Sequence, residues 1–375
     1  MQFKEVIGQK EVKAQLLHTV REGRVSHAQL FLGPEGSGNL AMALAYAQYL
    51  VCENKSDIDS CGSCPACLKS RKMIHPDITY SFPMSPNAKE KKKICLDFIA
   101  DFRDAVQENP YLSYNDWVTA MDAENKQGSI NTDEAADIVR RLGFKSVEGG
   151  YKICILWYPE SLNASAANKL LKIIEEPPEQ TLFILVAENH EHILSTITSR
   201  TQLVKLFNVT DEELCTTLTT KHRMPPDEAR RIAHLAGGNY NEALMLVSEA
   251  GDDDYNTQFL EWMRHCLKLR ITDLTRFSET MAAQSREQQK VFLQHALHIA
   301  RECILLNYGD PSMVRLSPLE LESFKKFAPF VNRNNAEEFV EEINKAHFHL
   351  ERNANAKILF ADLSFAMHRL LQVKN

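Results

Sequence analysis

The sequence predicts an α/β domain with a parallel sheet at the start of the chain, and helices alone after it. Three observations support this prediction. Short apolar runs alternate with helical patterns over the first two hundred residues, a glycine loop joins one run to the helix that follows, and strand patterns stop after Phe207. A chain of 375 residues is long enough for two or three domains, each with its own core.

Four apolar runs have the length and composition of buried parallel strands. They lie at residues 29–33, 77–82, 151–157 and 181–188. Helical patterns lie between them, at residues 10–22, 39–51, 132–143 and 163–176. Strands that alternate with helices indicate βαβ units, so we expect a parallel sheet covered by helices.

Two helices carry clear end signals. The segment 163–178 offers Asn163 or Ser165 as the N-cap and ends in a Pro-Pro pair. Thr210 and Glu213 have the spacing of a capping box, which predicts that a helix begins there.

The domains follow from these patterns. Residues 1–207 are predicted to form the α/β domain, 208–250 a small helical domain and 255–375 a larger all-helical domain, with an acidic linker at 250–255. The pattern loosens at 84–128, which we interpret as an insertion or long excursion. Its basic run KEKKK (89–93) is predicted to be solvated rather than to contact nucleic acid.

Composition narrows the function classes. A net charge of −7 argues against broad, non-specific binding of nucleic acid. No apolar run is long enough to cross a bilayer, and the N-terminus has no signal-peptide pattern. The expected location is therefore cytoplasmic, with no membrane partner.

Four cysteines cluster in the pattern C-x8-C-x2-C-x2-C: Cys52, Cys61, Cys64 and Cys67. Cytosolic thiols stay reduced, and overlapping C-x-x-C steps bring sulfurs to one ion, so the spacing predicts a structural four-cysteine zinc module at about 52–67. An iron–sulfur cluster and unrelated thiols are the weaker alternatives. The other five cysteines are predicted to lie in cores: Cys95, Cys154, Cys215, Cys266 and Cys303.

The loop GPEGSGNL resembles the phosphate-binding P-loop G-x-x-x-x-G-K-[ST], but it is degenerate. Gly33 and Gly38 have the right spacing and Gly36 lies between them, whereas Asn39 and Leu40 replace the Lys and the hydroxyl residue. The Lys would neutralise phosphate and the hydroxyl would bind Mg²⁺. We therefore expect no tight binding of ATP, with the glycines kept to turn the chain between strand and helix.

The strand at 151–157 gives a second test of the same site. A P-loop ATPase usually ends this strand with carboxylates, but here it is followed by Tyr158, Pro159 and Glu160, of which only Glu160 is acidic. Two independent parts of the hydrolytic machinery are missing, so the sequence predicts a nucleotide site that does not hydrolyse ATP.

Several segments together resemble bacterial clamp-loader subunits of the AAA+ superfamily, and among them the delta-prime group of DNA polymerase III. They are residues 6–16, the degenerate P-loop with its flanks at 21–38, the cysteine module, AANKLLKIIEEPP at 166–178 and ILSTITSRTQLVKL at 193–206. The resemblance implies an AAA+ P-loop domain with an inserted zinc module, a helical lid at 208–250 and an all-α collar at 255–375.

The resemblance also implies a role for Arg200. With Ser199 it matches the family's Ser-Arg-Cys motif, although Thr201 stands where Cys is usual. Arg200 would then act in trans, as an arginine finger in a neighbouring motor subunit's ATP site. The stretch 238–244, which matches the sensor-2 helix, has no Arg. This implies a non-hydrolysing scaffold (a stator) that works with tau/gamma and delta subunits, the sliding clamp and primed DNA.

Two other function classes remain as alternatives. An active motor ATPase of the tau/gamma type is disfavoured by Asn39 and Leu40. A stand-alone zinc nucleic-acid-binding protein is disfavoured by the acidic net charge and by the lack of interleaved basic and aromatic residues around the cysteines.

Overall fold

The computed structural model describes residues 1–85, 93–121, 128–249, 255–310, 314, 316, 318–352 and 354–373. The basic run at 89–93 and the linker at 250–255 therefore lie outside the described residues, apart from Lys93 and Tyr255. No helix among the described residues is long and apolar enough to cross a membrane.

Within this part of the chain, the strands are β1 (Ala28–Leu32), β2 (Ile78–Ser81), β3 (Lys152–Trp157), β4 (Thr181–Ala187) and β5 (Gln202–Lys205). The helices up to β5 are α1 (Lys10–Arg21), α2 (Asn39–Val51), α3 (Pro65–Arg71), α4 (Ile99–Glu108), α5 (Tyr114–Ala120), α6 (Thr132–Leu142), α7 (Ala164–Glu175) and α8 (Ser195–Thr198). The later helices are α9 (Asp211–Lys221), α10 (Pro226–Leu235), α11 (Tyr240–Glu249), α12 (Tyr255–Leu267), α13 (Ile271–Ala283), α14 (Arg286–Tyr308), α15 (Pro318–Phe324), α16 (Ala336–Glu351) and α17 (Ala356–Leu371).

The five strands form one parallel sheet in the order β2-β3-β4-β1-β5. The four predicted strands and the parallel sheet are confirmed. The edge strand β5 was not predicted, because only Val204 of its four residues is buried and the apolar run that marks the other strands is absent.

Helices cover both faces of the sheet. On one face, strand side chains such as Phe183 and Leu185 pack against Ile138 of α6 and Leu170 of α7. On the other face α2 is buried along almost its whole length, and the ring of its Tyr46 stacks on Phe31 of β1 with 6.0 Å between centroids. Both faces of the strands are therefore apolar, as expected of a covered parallel sheet.

Both helix-capping signals predicted from the sequence form hydrogen bonds in the structure. The Asn163 side chain accepts a hydrogen bond from Ala166 N at 2.7 Å, so Asn163 rather than Ser165 is the N-cap of α7. Thr210 and Glu213 exchange the two reciprocal bonds of a capping box at the start of α9, at 3.2 and 3.3 Å.

The stretch 84–128 contains α4 and α5, and it packs onto the end of β2. Phe102 of α4 stacks on Phe82 at 3.9 Å between ring centroids, and the buried Trp117 of α5 donates from Nε1 to Pro83 O at 2.6 Å. A bridge between Met84 and Ser129 brings the two ends of the stretch together. The described residues of this stretch are therefore an integral part of the α/β core.

The chain forms two compact units. The first contains Met1–Thr217 and Gly237–Glu242, and hence the whole sheet. The second contains Leu218–Ala236 and Ala243–Asn375, and its described residues form helices and no strands. The lid and collar boundaries predicted from the sequence stay predictions.

Candidate nucleotide site and cysteine cluster

The glycine loop connects β1 to α2 at the carboxyl edge of the sheet, where parallel-sheet proteins bind ligands. Gly36 and Gly38 have φ of +71° and +91°, in the left-handed region that favours glycine. The φ of Gly33 is not in that region. The sharp turn that the sequence analysis predicted there therefore does not explain why this residue is a glycine. A Cβ on Gly33 would lie 2.7 Å from Asn39 Oδ1 and 2.9 Å from Leu206 O, so space decides that position.

Asn39 closes this loop from inside. Its Nδ2 donates to Gly33 O at 2.6 Å and to Ala187 O at 3.2 Å, and its Oδ1 accepts from Ser37 Oγ at 2.8 Å. The side chain is buried. The residue at the position of the P-loop Lys thus binds the backbone of the loop and the end of β4, and it brings no positive charge.

Tyr111, from the loop between α4 and α5, covers the same glycines. A Cβ on Gly38 would lie 2.8 Å from the Tyr111 ring, and the Tyr111 hydroxyl accepts a hydrogen bond from Ile7 N at 2.8 Å. Burial raises the pKa of this hydroxyl. The ring packs against Tyr240 with 4.8 Å between centroids. An uncharged aromatic side chain therefore lies directly over the loop.

The stretch 238–244 closes the other side of the loop. Tyr240 N donates to Gly36 O at 3.2 Å, and Asn239 Nδ2 donates to Glu35 Oε1 at 3.3 Å. A Cβ on Gly36 would lie 1.9 Å from Asn239 Oδ1. Gly36 is thus required by this close approach, in addition to its positive φ.

The space left at the loop is a cavity of about 20 Å³, lined in part by Glu35, Asn39, Tyr111 and Glu188. Pockets for small ligands usually measure about 300–1,000 Å³, whereas about 20 Å³ suits a single water. Burial, and then the neighbouring carboxylates of Glu35 and Glu160, raise the pKa of Glu188 to about 8. The Glu188 carboxyl group is therefore uncharged at neutral pH, and it offers no positive charge to a phosphate.

Glu160 accepts hydrogen bonds from the backbone next to this cavity. Its Oε1 accepts hydrogen bonds from Glu188 N at 2.7 Å and Asn189 N at 2.9 Å, so it ties the turn after β3 to the end of β4. Burial raises the pKa of its carboxyl group. Trp157, at the end of β3, is buried. No pair of carboxylates free to hold Mg²⁺ follows β3.

Arg200 lies between α8 and β5 and is half-exposed. Its Nε donates to Glu175 Oε2 of α7 at 3.0 Å, and its Nη1 donates to Thr196 O at 2.9 Å and to Ser199 Oγ at 3.4 Å. Its Nη2 makes no hydrogen bond with any residue that the structure describes. The guanidinium is thus oriented by its own chain and keeps one nitrogen for another partner.

The four predicted cysteines come together. The sulfurs of Cys52, Cys61, Cys64 and Cys67 all lie within 4.8 Å of one another, and those of Cys61 and Cys67 are 3.9 Å apart. Sulfurs around one zinc at about 2.3 Å are separated by roughly 3.8 Å, whereas a disulfide requires about 2.05 Å. All four are free thiols, so the geometry fits one tetrahedral metal ion.

Backbone amides already turn toward these sulfurs. Cys61 N donates to Cys52 Sγ at 3.3 Å, Cys64 N to Cys61 Sγ at 3.3 Å and Cys67 N to Cys64 Sγ at 3.4 Å. Backbone donors from Ser63 and Cys64 lower the pKa of Cys61 to about 6, whereas burial raises that of Cys67. Metal binding needs thiolates, and donors of this kind stabilise them. Of the five other cysteines, four are buried as predicted and Cys215 is partly exposed.

Sequence reasoning missed the residues that fill the loop. Tyr111 lies in a stretch with no recognisable pattern, and Asn239 and Tyr240 were read only for the Arg that they lack. Glu188 follows β4 and had no motif to mark it. The only local signals were the large side chain of Tyr111 in the stretch 84–128 and the amide side chains in 238–244. Without knowledge of the fold, neither signal shows that these residues contact the glycine loop.

Comparisons with known proteins agree on one family. The sequence model of the family described as DNA polymerase III, delta subunit, matches residues 8–210, more than half of the chain. The Escherichia coli DNA polymerase III subunit delta' is 24% identical over 294 residues, which cover 78% of this chain and 74% of that protein. The Bacillus subtilis subunit delta' is 26% identical over 261 residues, 70% of this chain and 64% of that protein.

Relatives named as gamma/tau subunits match as well. The Mycobacterium tuberculosis (strain H37Rv) DNA polymerase III subunit gamma/tau is 30% identical over 199 residues, 53% of this chain and 27% of that protein. The chain thus spans about a quarter of the length of these relatives. With the family model covering more than half of its length, the chain belongs to the DNA polymerase III delta-subunit family, as a clamp-loader subunit of the AAA+ type.

Proposed function

We propose that this chain is a non-hydrolysing subunit of a DNA polymerase III clamp loader, in the position of the delta' relatives. The observation that carries the proposal is the filled nucleotide site. Asn39 and Tyr111 leave a cavity of about 20 Å³ where a P-loop ATPase holds phosphates. Neither a Lys nor a Mg²⁺-binding hydroxyl is present at positions 39 and 40.

Energetics support the loss of nucleotide binding. A charge-assisted hydrogen bond to phosphate is worth about 1.5–3 kcal/mol, so loss of the Lys alone weakens ATP binding by roughly tenfold or more. None of the described residues that line the cavity is basic, and a nucleotide would have to displace Tyr111, whose hydroxyl accepts a hydrogen bond from Ile7 N.

In this proposal Arg200 acts on a neighbouring subunit. Its ion pair with Glu175 is exposed, and such pairs contribute only about 0–1 kcal/mol, so Arg200 can exchange Glu175 for a γ-phosphate at small cost. An arginine supplied in trans stabilises the charge that develops during phosphoryl transfer. Ser199, whose hydroxyl is 3.4 Å from Nη1, helps to orient the guanidinium.

Zinc is the metal that we propose for the four-cysteine cluster. Four thiolates at tetrahedral spacing form a closed site with no open position, so the ion would be structural. An iron–sulfur cluster uses the same ligands, but no residue of the proposed mechanism calls for electron transfer.

The proposed partners are gamma/tau motor subunits, a delta subunit, the sliding clamp and primed DNA, and the proposed location is the cytoplasm. An active motor is the main alternative, because gamma/tau relatives share up to 30% identity with the chain. The filled loop disfavours it. A zinc nucleic-acid-binding protein has only the cysteine cluster in its favour.

The test is ATP hydrolysis by a ring reconstituted from this chain with its cognate gamma/tau and delta subunits, stimulated by clamp and primed DNA. We expect no ATP binding or hydrolysis by the isolated chain. In the ring, Arg200→Ala should slow single-turnover hydrolysis at the adjacent site by roughly 100-fold or more.

Arg230→Ala is the matched control, since Arg230 is exposed and also pairs with an acidic residue of its own chain. Mass photometry checks that every ring is intact. Hydrolysis by the isolated chain would establish a motor and reject the proposal. Unchanged single-turnover rates for Arg200→Ala in an intact ring would reject the arginine-finger role alone.

A further inference from the structure

A groove of about 330 Å³ lies beside the edge strand β2, on the unit that contains the sheet. Four large apolar side chains form its rim, and all are well exposed: Ile74 (51%), Leu96 (52%), Phe144 (63%) and Val147 (73%). Single exposed apolar residues are ordinary, but several gathered around one concave surface mark a binding site.

Basic side chains line the same groove: Arg103, Arg141, Lys145 and Lys152. Two of them are engaged. Arg141 pairs with Asp137, and Lys152 donates to Leu142 O at 2.6 Å and to Phe144 O at 3.0 Å. Lys145 is exposed at the rim.

Arg103 is different because part of its guanidinium is buried without a partner. Its Nη2 donates to Met73 O at 3.4 Å, whereas its Nε is buried and has no hydrogen-bond partner. The groove's own carboxylate, Asp77, accepts from Val147 N at 2.7 Å, Glu148 N at 2.9 Å and Ser146 Oγ at 3.0 Å, and forms no ion pair with Arg103. A buried donor without an acceptor is costly, and an anion beside the guanidinium would compensate its positive charge.

We propose that this groove binds a peptide segment of a partner protein in which leucine or phenylalanine side chains stand next to carboxylates. The apolar side chains would pack against Ile74, Leu96, Phe144 and Val147, and one carboxylate would pair with the guanidinium of Arg103. The argument for this occupant is charge complementarity, since the guanidinium of Arg103 lies inside an apolar rim and forms no ion pair with the carboxylate of Asp77. The groove is separate from the glycine loop, so the proposal holds whether or not Arg200 acts in trans.

Two other occupants fit less well. Single-stranded nucleic acid needs a basic track with several aromatic faces for stacking, and Phe144 is the only exposed aromatic residue among the groove residues. Residues 86–92 of this chain carry three lysines against one glutamate, so their charge has the same sign as Arg103.

The test uses three fluorescein-labelled synthetic peptides and the full-length chain, with fluorescence anisotropy as the readout. The probe is Glu-Leu-Glu-Phe-Glu-Leu-Glu-amide, with fluorescein on the N-terminal amine. One control peptide replaces each Glu by Lys, and the other replaces Leu and Phe by Ser. We expect only the probe to bind, with at least about tenfold weaker affinity for Arg103→Gln and for Phe144→Ser.

Phe144→Ser changes an exposed side chain, so it keeps the test valid if Arg103→Gln fails to fold. Arg230→Gln and Ile358→Ser, at exposed positions of the other unit, are the matched controls and should bind the probe as the unmodified chain does. Equal binding of the Lys peptide, probe binding unchanged in both groove variants, or no probe binding at all would overturn the proposal. So would displacement of the probe by a single-stranded oligonucleotide, or concentration-dependent self-association that Phe144→Ser abolishes.

Discussion

Single side chains decide what the glycine loop can do. Asn39 reaches the carbonyls of Gly33 and Ala187. A Lys at the same position, with its ammonium extended toward phosphate, would leave Gly33 O without this donor and Ala187 O with only the N–H of Gly33. A buried carbonyl without a donor costs about 1–3 kcal/mol. The replacement of Lys by Asn therefore stabilises the loop, and it also removes the positive charge that would bind phosphate.

Asn39→Lys should consequently weaken the fold without restoring a nucleotide site. We expect the free energy of unfolding to fall by about 1–3 kcal/mol, because Gly33 O loses the Asn39 donor and Ala187 O and Ser37 Oγ each lose one of two partners. ATP binding should stay undetectable, since Tyr111 and Glu188 still occupy the site. Urea unfolding and titration with a fluorescent ATP analogue measure the two effects.

The control for this substitution is Asn115→Lys, on an exposed position of α5, which should leave stability within about 0.5 kcal/mol of the unmodified chain. ATP binding gained by Asn39→Lys alone would mean that Tyr111 does not block the site.

Glu188 gives the chain a pH-dependent weakness. Its pKa is raised to about 8 in the fold from 4.5, so the folded state holds a proton that the unfolded state releases above pH 4.5. The contribution of Glu188 to the free energy of unfolding therefore decreases as pH rises from about 5 to 8. Glu188→Gln should be more stable than the unmodified chain by an amount that grows over this range, to about 1–3 kcal/mol at pH 8.

Thermal unfolding at pH 5, 6, 7 and 8 measures this difference. Glu191→Gln, on an exposed residue of the same loop, is the control for loss of a carboxyl group at this end of the sheet. A constant difference for Glu188→Gln would show that its carboxyl titrates normally in the fold.

At the scale of helices and strands, the features that the sequence predicted correctly are those that depend on residues close together in the chain. The buried strands, the Asn163 cap and the cysteine spacing each depend on residues within about ten positions, and the structure contains all three. The edge strand β5 was not predicted because its pairing with β1 needs no apolar run. Tyr111 escaped because its contact with Gly38 joins positions far apart in the sequence, which no period or spacing encodes.

The cysteine module is an element whose stability should depend on metal. Zinc held by the folded thiolates would stabilise the fold by RT ln(1 + [Zn]/Kd), which is about 4 kcal/mol when free zinc is 1,000 times Kd. We expect one zinc per chain, and chelation or Cys67→Ala should remove it and lower the melting temperature. Cys215→Ala, outside the cluster, should keep the zinc.

Elemental analysis and thermal unfolding, each with and without chelator, measure these effects. Iron with sulfide in the purified chain would identify an iron–sulfur cluster instead. A chelator-independent melting temperature with no bound metal would show that the four thiols are a packing cluster only.

At the scale of the whole molecule, the unit that contains the sheet is discontinuous in sequence. Gly237–Glu242 returns to it after helices that belong to the other unit, and brings three polar side chains to the loop region. Asn239 bonds Glu35, while Asn241 Nδ2 donates to Tyr111 O and Asn241 Oδ1 accepts from Asn109 Nδ2 at 2.8 Å. The closed state of the glycine loop therefore depends on residues two hundred positions away.

The double substitution Asn239→Ala with Asn241→Ala should open the glycine loop without unfolding the sheet. The double substitution removes the bond from Asn241 to Tyr111 O and leaves the bonds of Tyr111 with Ile7 and Asn109. Amide hydrogen exchange should therefore rise about tenfold or more at residues 36–38 and 109–112, and stay unchanged in β3 and β4. Mass spectrometry of the full-length chain measures both regions at once, with Asn115→Ala as the control. Unchanged exchange at the loop would mean that the α/β unit closes the nucleotide site without its returning segment; a rise in β3 and β4 as well would mean that the segment stabilises the entire unit rather than the loop.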